Sequence, residues 1–324
     1  MKSTDSEYTK YNSNIITSLS NGTYDIKVIA YDKAGNQKAV ELKSFEVKKE
    51  IKRTNISAQD IKNNPEGYYG QTVDYTSANG QNDWKIFHSD GTNIYLITGN
   101  YVKVTDDNGN INLLKLNTEG TKMQIASGGK NYRVNWNSSN LPSFSTDVSA
   151  EIISKFKINT NVFNINSHKS NENAQCVSTL LNPSYWTGYI DNSKGDNQTA
   201  IGGATVELWM DSWNNRYKDT SDQIYCNSSN VNGLFVGMVS EPESETVTLN
   251  SKKGDGGELY FANDYSKLTD GNSTVNYYWL ASTAAGKGYV LRVVITCRLD
   301  GHYYDLDVGA LRPVVCLTSN ISLK

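Results

Sequence analysis

The sequence predicts an α+β protein in two units, a short β hairpin followed by a larger mixed domain. Three observations lead to this prediction: runs of alternating apolar and polar residues joined by turn sequences, apolar stripes at helical spacing, and a charged segment after the first hairpin. We place the hairpin unit at residues 1–48, a linker at residues 49–56 and the larger domain at residues 57–324.

The charge balance argues against two classes of partner. The 324 residues include 31 basic and 34 acidic ones without a long run of Lys or Arg, so we expect no nucleic-acid partner. No stretch approaches the roughly 20 apolar residues of a membrane span. Residues 1–20 also lack the apolar core of a signal peptide, and with the hairpin that follows this suggests that the chain begins partway through a longer secreted protein.

The N-terminal hairpin is predicted by alternation. Residues 22–31 alternate as a strand buried on one face, residues 32–36 supply turn chemistry, and residues 38–47 form a second extended run. The pattern G-x-Y-x-x-x-V-x-A-x-D-x-A-G-N resembles the last two strands of bacterial immunoglobulin-like and fibronectin-like surface modules. That resemblance implies a partial β-sandwich whose other strands lie upstream. The alternative is a hairpin that packs onto the following domain.

The larger domain opens with a short helix and a second hairpin. Ser57-Ala-Gln-Asp60 has the form of a capping box, and Pro65 ends the helix that it starts. Residues 84–97 predict two strands joined by a turn at Ser89-Asp90-Gly91.

Three further helices are predicted by apolar spacing. One covers residues 146–158, with its cap at Ser145, Thr146 or Asp147, and another covers residues 173–181. A third follows Gly202-Gly203 and carries a largely aromatic stripe: Val206, Trp209, Met210, Trp213 and Tyr217. We interpret this stripe as a core face, with an exposed sugar-stacking platform as the alternative.

The C-terminal region predicts antiparallel strands. Residues 290–299 alternate, and Asp300-Gly301 has the composition of a two-residue turn from which residues 302–308 return. Such a turn pairs Cys297 with Tyr304, Ile295 with Leu306 and Val293 with Val308 on an apolar face. It places Arg298, Tyr303 and Asp305 on the polar face, with Asp307 diagonal to Arg292 as an ion pair. Residues 311–317 supply a final strand.

The same region resembles a known group of domains. Tyr278-Trp279-Leu-Ala-Ser282 and Ala310-Leu-Arg312-Pro313-Val-Val-Cys-Leu317 are similar to the W-x-x-S and V/L-R-P-V-x-x-L signatures of bacterial surface domains. Those domains are related to formylglycine-generating enzymes, retroelement variable proteins and Fibrobacter major paralogous domains. The resemblance implies a C-type-lectin-like fold, with a twisted antiparallel sheet and two or three helices.

The functional motifs of those relatives are not matched. Glu241-Pro242-Glu243 departs from the calcium-binding E-P-N loop of C-type lectins, and Cys297 and Cys316 are nineteen positions apart, unlike the closely spaced catalytic pair of the oxidases. None of the three histidines, His88, His168 and His302, lies in a catalytic motif. We therefore expect no catalytic residue, metal or cofactor. The four cysteines favour buried free thiols, with two disulfides as the alternative.

The function expected from these patterns is that of an extracellular adhesion or ligand-binding module with a surface glycan or a protein as its ligand. Aromatic rings combined with polar handles suit both classes of ligand. We select Trp279, Arg298, Tyr303 and Asp305 as ligand-binding residues. One alternative is a structural or receptor-binding component of a phage tail or surface filament. Another is a glycoside hydrolase that uses paired carboxylates such as Asp305 and Asp307.

Overall fold

The computed structural model separates the chain into two compact units, residues 1–51 and residues 52–324. The structure describes the following residues: 22–47, 56–103, 123–125, 134–136, 148–158, 172–218, 246–248, 258–261, 269–270, 273–274, 277–283, 289–294, 298–303, 309–318 and 323.

The first unit contains the predicted hairpin. Strands β1 (Gly22–Tyr31) and β2 (Gln37–Val47) pair antiparallel around a turn in which Gly35 has a φ of +87°. The Asp32 carboxylate holds this turn, because it accepts hydrogen bonds from the backbone N–H groups of Ala34 and Asn36 at 2.8 and 2.9 Å. Val28 lies directly opposite Val40 in this pairing, and the two residues are 60% and 62% exposed. The strands and the turn are thus confirmed, whereas the expected burial is not found at this pair.

The second unit contains twelve described strands. Their bounds are β3 (Trp84–Ser89), β4 (Ile94–Thr98), β5 (Met123–Ile125), β6 (Val134–Trp136), β7 (Gln198–Ile201), β8 (Thr246–Thr248), β9 (Thr269–Asp270), β10 (Ser273–Thr274), β11 (Tyr277–Thr283), β12 (Tyr289–Val294), β13 (Arg298–Tyr303) and β14 (Val314–Leu317).

Five α-helices are described in the same unit. They are α1 (Ala58–Asn63), α2 (Ala150–Lys155), α3 (Glu172–Leu181), α4 (Val206–Arg216) and α5 (Glu258–Phe261). The shorter 3-10 turns are Pro65–Gly67, Pro183–Tyr185, Thr187–Tyr189 and Asn192–Lys194. The unit is therefore mixed α+β with antiparallel sheets, as the sequence predicts at the level of fold class.

Two four-stranded antiparallel sheets form the framework of the second unit. One has the order β3-β4-β14-β7 and the other has the order β11-β12-β13-β8. Chain segments link the sheets where Trp279 N–H donates to Ala310 O at 3.1 Å and Ala310 N–H donates to Tyr277 O at 2.9 Å. The final strand, β14, lies inside the first sheet between β4 and β7 and does not continue the C-terminal ribbon.

The aromatic stripe of α4 belongs to the core. Trp209, Trp213 and Tyr217 are all buried, and the two indole rings stack with their centroids 5.4 Å apart. Ser212 on the same helix donates a hydrogen bond to Phe87 O and thereby ties α4 to β3. The core interpretation is confirmed, and an exposed sugar platform on this helix is excluded.

A buried arginine joins distant parts of this core. Arg312 is fully buried and donates to Thr98 O through Nη2 at 2.6 Å and to Leu259 O through Nη1 at 2.8 Å. Its guanidinium also lies 5.1 Å from the centroid of the Tyr278 ring. Because the partners are backbone carbonyl oxygens, this part of the R-P signature has a structural role in the described core.

The predicted Asp300-Gly301 turn is wrong. Strand β13 runs straight through these residues, with Asp300 opposite Arg292 and Gly301 opposite Leu291, and Val294 lies opposite Arg298. The physical reason is burial on both faces of β12: Val290, Leu291, Val293 and Val294 are all buried, so alternation does not set the register. Val293 pairs with Leu299 and not with Val308, so that predicted pair is wrong. The pairs predicted for Cys297 and Ile295 lie outside the described residues.

An ion pair does form on this ribbon. Arg292 Nε lies 2.7 Å from Asp300 Oδ1, directly across the strands, whereas the predicted partner was Asp307. Asp307 lies outside the described residues. Arg292 also packs over Tyr277, with its guanidinium carbon 4.5 Å from the ring centroid.

Helix positions agree with the sequence patterns better than strand register does. Ser57 caps α1 by accepting from Asp60 N–H at 3.1 Å, and α3 covers the predicted segment before Pro183. The predicted cap of α2 is wrong: Ser149 is the N-cap, and its Oγ accepts from Ile152 N–H at 3.3 Å. Several Ser and Thr residues precede this helix, and their cap preferences do not separate them in the sequence.

Candidate functional site

The structure places Trp279 in the core. Its residue is 0% exposed, and its ring meets Tyr277 edge to face at a centroid distance of 5.1 Å. Gly309 lies against this ring so closely that an added Cβ would be 2.6 Å from Trp279 Nε1. A ligand at the protein surface would not contact this indole. Trp279 therefore offers no exposed surface to a ligand, and its ligand-binding role stays a prediction.

Two of the other predicted site residues, Arg298 and Tyr303, lie at opposite ends of β13. Arg298 pairs through the backbone with Val294 and Thr248, and Tyr303 pairs with Tyr289 at the opposite end of β13. Arg298 and Tyr303 therefore do not face each other as the expected hairpin requires. Asp305 lies outside the described residues.

The structure shows instead a groove of about 530 Å³ beside the outer edge of β7. Its walls are α2 with the residues before it, the C-terminal half of α3, and the two turns Pro183–Tyr185 and Thr187–Tyr189. Its volume lies in the range of about 300 to 1,000 Å³ that is usual for small-molecule sites. We call this feature the β7 groove.

Hydroxyl and amide groups dominate the polar lining of the β7 groove. They belong to Ser149, Ser178, Thr179, Asn182, Ser184, Thr187, Gln198 and Thr199. The apolar lining consists of aliphatic side chains, one proline and one tyrosine: Val148, Ile152, Leu181, Pro183, Tyr185, Ile190 and Ala200. Among the described lining residues Glu151 is the one that carries a charge.

One wall of the groove is fixed by local caps and by a buried indole. Asn182 Oδ1 accepts from Ser184 N–H at 3.1 Å and from Ser184 Oγ at 2.8 Å, which starts the first 3-10 turn. Trp186 is buried beneath the turns and donates to Thr179 O at 3.2 Å. Gly202 is required here, because an added Cβ would lie 2.2 Å from the Trp186 ring.

The opposite wall is tied to the sheet by a lysine. Lys155, at the end of α2, donates to Thr199 Oγ1 on β7 at 3.0 Å and also pairs with Glu151. The hydrogen bond and the charge of Lys155 lower the pKa of Glu151, so this carboxylate stays ionised. The positive charge of Lys155 compensates it. The groove thus presents an ordered and nearly uncharged surface.

A second polar cleft surrounds His88. His88 is 4% exposed and lies between the rings of Tyr69 and Tyr95, with Nδ1 3.2 Å from the Tyr69 hydroxyl. Its Nε2 is 3.4 Å from Lys157 Nζ, which also pairs with Asp211 at 2.7 Å. Burial, reinforced by the Lys157 charge, lowers the pKa of His88 to about 4. The imidazole is therefore neutral at pH 7, and its ring contacts are those of a core residue.

Lys157 occupies an unusual backbone conformation at the edge of this cleft. Its φ is +55°, in the left-handed region that L residues with side chains seldom occupy, directly after the C-cap of α2 at Phe156. The conformation ends α2 and directs the chain past His88. Because α2 also forms a wall of the β7 groove, the His88 cleft and the groove share one supporting helix.

Comparisons with known proteins give no family assignment. No family model matches the chain, and neither a curated protein nor a solved structure matches it.

Two properties of the described residues bear on membrane spans and metal sites. None of the helices in the described ranges has both the length and the apolarity needed to cross a bilayer. Within the same residues, no three His, Cys, Asp or Glu side chains lie close enough together to hold a metal ion. Cys316, on β14, is a buried free thiol, as the sequence favours, and burial raises its pKa to about 12.

Sequence reasoning missed the β7 groove because its lining comes from three separate segments. Ser149, Asn182 and Thr199 each have an ordinary local reason to be present, as helix caps or as strand residues. No spacing in the sequence indicates that they share one surface. The usable signal was the dense polar and aromatic stretch at residues 182–190, of which only Pro183 was interpreted, as the stop of the preceding helix.

Proposed function

We propose that the larger unit is a ligand-binding module and that the β7 groove holds its ligand, a surface glycan or a segment of a protein. We place the module on an extracellular surface in a C-type-lectin-like arrangement, on the strength of the sequence resemblances. One observation carries the proposal: an open groove of about 530 Å³ whose side chains are fixed by caps and cross-links before any ligand arrives.

The chemistry of the groove supports binding more than catalysis. Acid–base hydrolysis of a glycosidic bond uses two carboxyl groups about 5 to 10 Å apart. Of the described residues that line the groove, only Glu151 carries a carboxylate, and Lys155 pairs with it. The hydroxyl and amide groups that remain form hydrogen bonds but do not supply a general acid and a general base.

The test is to screen the purified chain on arrays of surface glycans and of extracellular proteins, together with two variants. Thr187 is exposed in the groove wall, so Thr187→Trp should obstruct the groove and abolish retention of the ligand. Thr92→Trp is the matched control, because Thr92 is an exposed threonine of the same unit in the β3–β4 turn. Equal retention by both variants would place the binding site elsewhere, and the absence of any retained ligand would remove the proposal.

A further inference from the structure

The charge state of the β7 groove restricts its ligand. Glu151 pairs with Lys155, which also donates to Thr199, so the two opposite charges largely compensate each other, although the Glu151 side chain is 67% exposed. An ionised group that entered the groove would lose hydration without meeting an uncompensated counter-ion. This argues against acidic sugars, phosphorylated ligands and strongly charged peptides.

The covered edge of β7 argues against an extended peptide. Peptides commonly bind sheet edges by adding a strand, which requires free backbone N–H and C=O groups along that edge. Here Gly202 N–H is bonded to Leu180 O at 2.8 Å, and Ala200 is fully buried although it lies next to the groove. Asn197 O accepts from Thr318 N–H at 3.1 Å and therefore faces β14. Because backbone groups alternate in direction along a strand, the N–H and C=O of Ala200 face the opposite edge, which is the covered one.

The polar groups that remain suit hydroxyls. Asn182 Oδ1 accepts hydrogen bonds from Ser184, which fixes the plane of the Asn182 amide. The Nδ2 group of Asn182 is thereby held in place as a donor. Thr199 Oγ1 accepts from Lys155 and so keeps its own O–H as a donor, and Thr187 adds an exposed hydroxyl. A ligand rich in hydroxyl groups can donate and accept at each of these positions.

Tyr185 adds a flat apolar surface. Its side chain is half-buried in the groove wall, next to Pro183 and on the same lining as Ile190. The C–H faces of sugar rings pack on such aromatic surfaces, while the phenol hydroxyl stays available for a hydrogen bond. The lining therefore combines a stacking face with neutral donors and acceptors.

Resting on the proposed function of this groove, we infer that the ligand is a neutral oligosaccharide, bound by stacking on Tyr185 and by the Asn182, Thr187 and Thr199 side chains without a metal ion. The volume of about 530 Å³ holds a short oligosaccharide rather than a single sugar. Independence from calcium follows from the donor set, because the single paired carboxylate of the described lining is a poor cage for a hard cation.

The experiment measures binding of the full chain to neutral oligosaccharides and to matched uronic-acid and sulfated forms, by array and then calorimetry, with and without EDTA. We expect retention of at least one neutral oligosaccharide, no gain from added acidic groups and no effect of EDTA. Tyr185→Ala should weaken binding by roughly 2- to 10-fold, whereas Tyr185→Phe should keep it. Tyr68→Ala is the control, because Tyr68 is another half-buried tyrosine of the unit but lies outside the groove lining.

A second variant tests the neutral character directly. Asn182→Asp keeps a side-chain acceptor for Ser184 but replaces the Nδ2 donor with a charge, so it should reduce the affinity for a neutral sugar. If the groove prefers charged glycans, a peptide or a protein, and Thr187→Trp abolishes that binding, the sugar inference is overturned and the proposed function stands. Loss of binding in EDTA would have the same meaning. Binding that is insensitive to Thr187→Trp, or no binding at all, would remove both.

Discussion

The two hairpins of this protein, β1–β2 and β3–β4, have the same local signals and opposite environments. Each is predicted by extended runs around a turn with a glycine, and each forms where predicted. Yet Val28 and Val40 of the first hairpin are 60% and 62% exposed, whereas every residue of β4 is buried. The difference is that β14 pairs with β4 and that α4 packs on β3. Local pattern specifies the hairpin, and the surrounding elements decide its burial.

The largest expected difference is between two tyrosines. Tyr95 is buried in β4, where its hydroxyl donates to Lys155 O at 2.6 Å, while Tyr31 is exposed at the end of β1. Tyr95→Ala should lower the free energy of unfolding of the larger unit by about 3–5 kcal/mol, because it leaves a cavity and an unpaired acceptor. Tyr31→Ala should change that quantity by less than about 0.5 kcal/mol.

Tryptophan fluorescence during denaturant unfolding measures the free energy of unfolding of the larger unit in both variants. All six tryptophans, the first of which is Trp84, lie in the larger unit, so the signal reports on that unit alone. A loss of stability for Tyr31→Ala as large as that for Tyr95→Ala would contradict the exposure of Tyr31.

The next effect is a pH dependence restricted to the larger unit, which contains all three histidines. The pKa of His88 falls from 6.5 to about 4 on folding, so the unfolded chain takes up the proton first as the pH decreases. The contribution of His88 is complete above pH 6.5 and is lost progressively down to pH 4, a change of about 3 kcal/mol. Denaturant unfolding at pH 7 and pH 4.5 measures this loss.

The control for this prediction is His88→Gln, which should flatten the stability profile between those pH values. Any contributions of His168 and His302 are present in both proteins and cancel in the difference. An equally steep profile in His88→Gln would show that other groups cause the acid sensitivity.

The smallest effect concerns two cross-strand ion pairs, one in each unit. Arg292 and Asp300 have side chains that are 13% and 9% exposed, while Lys27 and Glu41 in the first hairpin are 33% and 39% exposed. Asp300→Asn should lower the free energy of unfolding of the larger unit by about 1–3 kcal/mol, because the Arg292 guanidinium loses the Asp300 carboxylate in a partly desolvated position. Glu41→Gln should have no measurable effect on exchange of the β1–β2 amides, since water screens the exposed pair. If Glu41→Gln destabilised the first hairpin as much as Asp300→Asn destabilises the larger unit, the two ion pairs would not differ in environment.

The sequence predicted features that depend on neighbouring residues. The Ser57 cap, the Asp90-Gly91 turn and the core face around Trp209 are local, since short-range hydrogen bonds or helical spacing determine them. The Asp300-Gly301 turn failed because the burial of β12 on both faces outweighed a strong local turn preference. The strand accommodates Gly301 opposite Leu291, although glycine weakens strand interiors.

The candidate site was beyond local reasoning for the same reason. Trp279 was selected as an aromatic residue in a recognisable motif, but the approach of Gly309 identifies its ring as a packing element. Tyr185 was passed over, although its side chain is half-buried in a groove wall. Only the fold brings α2, α3 and β7 to one surface, so a site assembled from all three cannot be found in any single stretch.

The central position of β14 has a consequence for biosynthesis. A ribosome releases this strand after every other described strand, yet β4 and β7 reach each other only through it. Until Leu317 has left the exit tunnel, a nascent chain exposes the facing edges of β4 and β7 to other polypeptides. Chaperone occupancy should therefore persist through translation of nearly the whole larger unit, and fall once the last strand is inserted.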